Sequence, residues 1–275
     1  MTTQAETLQA ASNFLNGIIK GKQPCADRLV LYGIEGIGKS SLAATAEKPI
    51  FIPTEKGTAN IDCERFPMAT TWDAVIENLR SLYREKHPYK TVVIDTLTSL
   101  EGYLHDVVVA DADDVKGKRP RDIEEVGGGF HKGYVACVPH WRKLTIALDA
   151  IHDKGMNVLL LAHTGLETID DPEQTTSYKR TVMGLNKHAA AVVAKWADAI
   201  LFYSCKMRVE KIKKGFNQEK AVALPVGPDG GERYLRTVGS PACMAKNRYR
   251  LPSEIPIPYP PNFRTVLDLI EAGKK

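Results

Sequence analysis

The chain has 275 residues, 43% of them hydrophobic and 25% charged, with a formal net charge of +4. That composition is ordinary for a globular protein, leaves room for one large α/β domain, and permits a nucleic-acid partner without requiring one. Five scattered cysteines, Cys25, Cys63, Cys137, Cys205 and Cys243, include no C-x-x-C pair. They read as reduced thiols of a cytosolic compartment and argue against a zinc site. The sequence shows neither a signal-peptide pattern nor an apolar run of membrane-spanning length, so a cytoplasmic protein without a membrane partner is expected.

In chain order, Leu8, Ala11, Leu15, Ile18 and Ile19 have the spacing of an amphipathic N-terminal helix. An apolar strand over 28–33 follows, then a glycine-rich loop and a small-residue helical run from Ser41 to Ala46. Pro49-Ile50-Phe51-Ile52 reads as a buried strand. Trp72, Val75, Ile76, Leu79, Leu82 and Tyr83 form a helical stripe, with Thr71 as its N-cap. The β-branched run 91–95 is a strand, followed by a helix through Leu100 and Leu104. Residues 111–137 read as a long polar loop, and a helix is expected over 139–153, starting at Pro139. Strand 158–162, a second long polar stretch over 164–186, helix 188–198 and strand 199–204 come next. Short strands fill 205–250, and Phe263, Val266, Leu267 and Ile270 mark a last helix. Strands alternating with helices predict a mostly parallel sheet with helices on both faces. No domain boundary is visible. The expected organisation is a single domain over 1–275, with a lead-in over 1–27, a core over 28–257 and a C-terminal helix within 258–275.

The loop spells G-x-x-x-x-G-K-S: Gly33, Ile34, Glu35, Gly36, Ile37, Gly38, Lys39, Ser40, then Ser41. Between a strand and a helix this is a phosphate-binding P-loop. Glycines allow backbone N–H groups to wrap phosphate oxygens, and the helix that follows adds the positive end of its dipole. Lys39 is expected at the β- and γ-phosphates of ATP and Ser40 on Mg²⁺. A P-loop magnesium requires an acid at the end of a neighbouring buried strand, and Thr91-Val92-Val93-Ile94-Asp95 supplies Asp95 as its second protein partner.

The two long polar stretches carry cations with aromatics among them. The first has Lys116, Lys118, Arg119, Arg121, Phe130, His131, Lys132 and Tyr134; the second has Tyr178, Lys179 and Arg180. Cations for phosphates and rings for bases suit single-stranded DNA. The first stretch also contains Asp111, Asp113, Asp114, Asp122, Glu124 and Glu125, so its charge is mixed.

The order of these motifs resembles the RecA-like P-loop ATPases, and especially the short phage RecA-like proteins of single-strand annealing. The likeness runs over roughly residues 20–257. It rests on the L-Y-G-x-E-G-x-G-K-S-S-L-A run, Phe51 to Thr58, the Gly127–Tyr134 segment, Leu160-Leu161-Ala162-His163, Lys195 to Ala199 and Ala245 to Pro252. It implies an ATPase, stimulated by single-stranded DNA, that self-associates into a ring or filament during phage recombination in a bacterial cytoplasm. A single-strand-binding protein is a further implied partner. By resemblance, Glu55 activates the attacking water and His163 senses the γ-phosphate. Lys246 and Arg248 are implied to reach a neighbouring subunit's nucleotide. By the same resemblance no separate C-terminal domain like that of full-length RecA is expected, which favours annealing or a loader-like role over strand exchange. Two other readings stay open: a regulatory or partitioning ATPase that binds no nucleic acid, and a small-molecule kinase, for which no lid motif is visible.

Overall fold

A computed structural model describes residues 17–21, 23, 25–115, 117–172, 175–213, 219–227 and 230–274. The expected N-terminal helix lies largely outside them. Ile18 and Ile19, at its end, are exposed and non-helical.

The first strands are β1 (Arg28–Gly33), β2 (Pro49–Pro53), β3 (Glu64–Arg65), β4 (Thr91–Asp95) and β5 (Asn157–Ala162). β6 (Thr164–Ile169), β7 (Tyr178–Met183), β8 (Ala199–Cys205), β9 (Met207–Lys213) and β10 (Glu219–Pro225) follow. The last are β11 (Arg233–Arg236), β12 (Lys246–Asn247) and β13 (Glu254–Ile257). The helices are α1 (Lys39–Ala43), α2 (Trp72–Arg84), α3 (Leu97–Ala110), α4 (Lys132–His152), α5 (Lys187–Trp196) and α6 (Arg264–Lys274).

Nine strands form one sheet in the order β13-β11-β8-β1-β5-β4-β2-β3, with β12 paired to β8. From β8 to β3 every neighbouring pair is parallel, and the antiparallel β11, β12 and β13 close the other end. β5 therefore lies between the P-loop strand β1 and the Asp95 strand β4. The central strands are buried on both faces, which explains their unbroken apolar runs.

Side chains alternate between two cores. One face packs Val30, Val92, Ile94 and Leu160 under α2, α3, α4 and α5. The other packs Leu29, Leu31, Val93 and Leu161 against α1 and α6. Trp141 is fully buried and meets Trp72 edge-on at 5.8 Å. Replacing it with alanine should cost roughly 3–5 kcal/mol. The Thr71 hydroxyl accepts from the N–H of Ala74 and caps α2, as its sequence position predicts.

Three segments differ from the sequence reading. The helix after the P-loop is only the five residues of α1, because the chain must turn back into β2 at Pro49. Its dipole is correspondingly short. α4 starts at Lys132, seven residues before Pro139, which sits inside it. The early turns hold because Gly133 packs so closely on Ile123 that an added Cβ would lie 2.0 Å from the Ile123 carbonyl oxygen. Tyr134 also packs edge-on against His105. Within 164–186, β6 and β7 form an antiparallel hairpin with Thr164 opposite Met183. Most of its side chains are half-buried or exposed, so no apolar alternation marks it in the sequence.

The Ala69 N–H donates to the Pro53 carbonyl at 2.8 Å, which returns the chain to the carboxyl end of β2 just before α2, and Trp72 there meets Trp141, the tenth residue of α4.

Candidate active site at the carboxyl edge of the sheet

Four strands deliver one side chain each to a single cluster: Lys39 beyond β1, Glu55 beyond β2, Asp95 ending β4 and His163 after β5. All four are among the residues that the sequence reading assigns to the nucleotide site. Parallel strands with crossovers bring their carboxyl ends side by side, so residues far apart in sequence become neighbours.

The loop is tight where its glycines require it. At Gly33 an added Cβ would sit 2.6 Å from the carbonyl oxygen of Tyr203 on the adjacent β8. Gly38 has φ of +98°, a conformation that favours glycine. Lys39 is 6% exposed; its ammonium donates to the carbonyls of Gly33 and Ile34, each at 3.0 Å, and lies 3.3 Å from His163 Nδ1. Burial lowers its pKa, against the opposing pull of Asp95, Glu55 and Glu35. A triphosphate in the loop would compete for the same ammonium protons.

Ser40 Oγ donates to Asp95 Oδ2 at 2.6 Å. Asp95 is 3% exposed, and burial raises its carboxyl above the ordinary range despite that bond. Among the described residues no three His, Cys, Asp or Glu side chains gather as a metal site. Mg²⁺ does not need such a cage. It keeps water and binds through one or two protein oxygens and the substrate phosphates, so the Ser40–Asp95 pair fits it.

Glu55 accepts from Ser99 Oγ at 2.6 Å and from Thr96 Oγ1 at 3.2 Å. His163 Nε2 stands 3.1 and 3.2 Å from its two oxygens. Burial pushes the Glu55 carboxyl up, but the bonds from Ser99 and His163 outweigh it and leave it below the ordinary range. One neutral tautomer serves both neighbours of His163: Nε2–H donates to Glu55, and Nδ1 accepts from Lys39. The His163 backbone N–H donates to Thr98 Oγ1 at 3.0 Å. Its carbonyl accepts from Gly184, just past the far end of the β6–β7 hairpin, at 2.8 Å. Thr96, Thr98 and Ser99 escaped the sequence reading. Their signal is a cluster of hydroxyls just after Asp95, where the start of α3 turns them back toward the loop.

A phosphate loop with a buried lysine, a carboxylate–serine pair for a cation and a carboxylate held by a histidine together equip this edge to cleave a phosphoanhydride. The sequence matches the AAA domain family over residues 26–249. The chain belongs to the AAA domain family. As a member of that family it is a P-loop ATPase with a mostly parallel sheet, in which one strand separates the P-loop strand from the Asp95 strand. The solved structure of flagellar accessory protein FlaH from Methanocaldococcus jannaschii aligns over 90% of this chain and 92% of its own, at 12% identity and a TM-score of 0.40. No curated protein matches the sequence.

Lys246 and Arg248 stand elsewhere. Lys246 donates to the carbonyls of Ala194 at 2.7 Å and Ala197 at 2.6 Å, closing the end of α5. Arg248 pairs at 2.9 Å with Asp198, which Arg28 also holds. Arg28 and Asp198 mark the amino edge of the sheet, about 17 Å of strand from Gly33. The structure does not bring these two residues to their own subunit's P-loop.

The basic segments are partly engaged. Arg121 pairs with Glu125 at 2.8 Å, Arg119 donates to the Ala110 carbonyl at 2.6 Å, and Lys132 to that of Gly127 at 3.0 Å. Lys116 lies outside the described residues. Gly127, Gly128, Gly129, Phe130 and His131 all have φ between 56° and 90°, and Phe130 is 92% exposed. In the hairpin, Arg180 reaches the Cys243 carbonyl at 3.4 Å, Tyr178 is half-buried and Lys179 is exposed. Among the described residues no helix is long and apolar enough to cross a membrane.

Proposed function

We propose that this AAA-domain ATPase couples ATP hydrolysis to single-stranded DNA, in the manner of the phage annealing proteins its motifs resemble. The observation that carries the coupling is His163. Its ring touches both Lys39 and Glu55, and the next residue begins the β6–β7 hairpin. A change at the γ-phosphate therefore has one residue to cross before it reaches a segment that carries Tyr178, Lys179 and Arg180. Phe130 supports the nucleic-acid reading. A bulky residue in the left-handed region, held out in water, is the kind of local cost that functional surfaces retain. As an exposed ring it is available to stack on a base.

Phosphoryl transfer to water depends on positioning and on neutralising charge. Lys39 and the loop N–H groups bind and orient the triphosphate. Ser40 and Asp95 would hold Mg²⁺, which supplies further neutralisation of phosphate charge. Glu55 is ionised at neutral pH; it orients the attacking water and takes its proton. His163 holds Glu55 in place and passes the nucleotide state to the hairpin. Assembly into a ring or filament, with Lys246 and Arg248 facing a neighbour's nucleotide, belongs to the same proposal.

The test is steady-state ATP hydrolysis without nucleic acid and with single-stranded DNA, double-stranded DNA or RNA. Stimulation by single-stranded DNA that fades as salt rises supports the reading. Turnover indifferent to every nucleic acid would turn it to a regulatory or partitioning ATPase.

A further inference from the structure

Glu55, His163 and Asp95 all lie on the β5, β4 and β2 side of the P-loop. The reactive end of a bound nucleotide therefore points to that side. Its other end must leave the loop on the opposite flank, over β8 and β11.

A cleft of about 490 Å³ opens there, between β11 and the chain that follows β13. It is at the same edge of the sheet, because Arg233 pairs with Cys205, the last residue of β8, and with Ile257, the last of β13. Its lining includes Ile257, Pro258 and Tyr259, with Tyr259 76% exposed at the mouth. Mostly apolar walls with a few polar groups suit a small organic ligand of this size. The carboxylate of Glu232 on the rim is paired with Lys206 at 3.1 Å, which lessens its repulsion of an anion.

Arg233 joins this cleft to the P-loop. It lines the cleft, and its guanidinium reaches so near Gly38 that a Cβ there would lie 3.3 Å from its Nη1. A guanidinium beside a phosphate loop can donate two parallel hydrogen bonds to phosphate oxygens.

We infer that this cleft holds the nucleoside end of the nucleotide, with Tyr259 stacking on the base and Arg233 contacting the phosphates from the same subunit. The inference rests on the nucleotide reading of the P-loop.

The test compares ATP with inorganic tripolyphosphate, by titration calorimetry, on the wild type and on Tyr259→Ala, Tyr259→Phe and Arg233→Ala. The exposed position of Tyr259 keeps its truncation from disturbing the core. Tyr259→Ala should weaken ATP about tenfold, as expected for one stacked base, and leave tripolyphosphate affinity unchanged. Tyr259→Phe should bind ATP like the wild type, and Arg233→Ala should weaken both ligands. Wild-type ATP affinity in Tyr259→Ala, or equal loss of both ligands, overturns the inference and leaves the nucleotide reading standing. A wild-type protein that binds neither ligand overturns both.

Discussion

His163 Nε2 lies 3.1 Å from Glu55 Oε1, so the residue that opens onto the β6–β7 hairpin also holds the carboxylate proposed to take the proton of the attacking water. A hydrogen bond to a charged group contributes about 1.5–3 kcal/mol. His163→Ala should therefore lower turnover about 10- to 100-fold while ATP still binds through the loop. The more specific expectation concerns coupling: the ratio of turnover with and without single-stranded DNA should fall to near one. A variant that is slow yet still stimulated to the wild-type degree would leave His163 a local positioning residue only.

Lys39 has the most concentrated charge in the loop, and all three of its ammonium protons face acceptors there. Lys39→Ala should abolish tight ATP binding, measured by calorimetry, and turnover with it. Unchanged turnover in the purified variant would remove the loop from the mechanism.

Arg248 and Lys246 are satisfied at the amino edge of their own subunit, so an effect on hydrolysis must come through a neighbour. A cation supplied in trans can contribute about 10³- to 10⁵-fold in phosphoryl transfer. Activity per subunit should rise with protein concentration. Mixing Lys39→Ala subunits with Arg248→Ala subunits should restore part of the lost activity. If co-assembled mixtures stay inactive, Arg248 serves its ion pair with Asp198 and nothing more.

Glu101 gives the fold a pH dependence unrelated to catalysis. It is buried between α3 and the start of α5, where both its oxygens accept from the Asn186 N–H. Burial raises its pKa from 4.5 to about 7, against that hydrogen bond. Between these values the folded protein keeps a proton that the unfolded chain has released. Its stabilising contribution is therefore complete below about pH 4.5 and lost as pH rises through 7. Glu101→Gln removes the titration. Denaturation from pH 5 to pH 8 should show the wild type losing on the order of 1–3 kcal/mol relative to the variant as pH increases. Parallel curves for the two proteins would contradict this account.

Much of the site is legible because each of its parts ends an apolar strand run. Gly33–Ser40, Glu55, Asp95 and His163 all follow such runs, and a parallel sheet aligns their ends. The β6–β7 hairpin was hidden because its strands pack partly on both faces and so carry no clean alternation. The start of α4 was misplaced because Pro139 imitates a first-turn proline, while the contacts of Gly133 and Tyr134 that sustain the earlier turns are long-range. Arg233 carries no motif. It reaches Gly38 only through the antiparallel pairing of β11 with β8, some 200 residues along the chain, which no local pattern encodes. Glu101 looked like any polar position on a helix until α5 covered it.

The central claim is that this edge of the sheet hydrolyses ATP with Glu55 as the base. The most direct measurement is single-turnover hydrolysis by Glu55→Gln, alongside its ATP affinity. Glutamine keeps the shape and the bonds from Ser99 but cannot take the proton of water. Turnover should fall about 10²- to 10⁴-fold with the dissociation constant for ATP nearly unchanged. Turnover equal to that of the wild type, or binding and turnover lost together, would contradict the account.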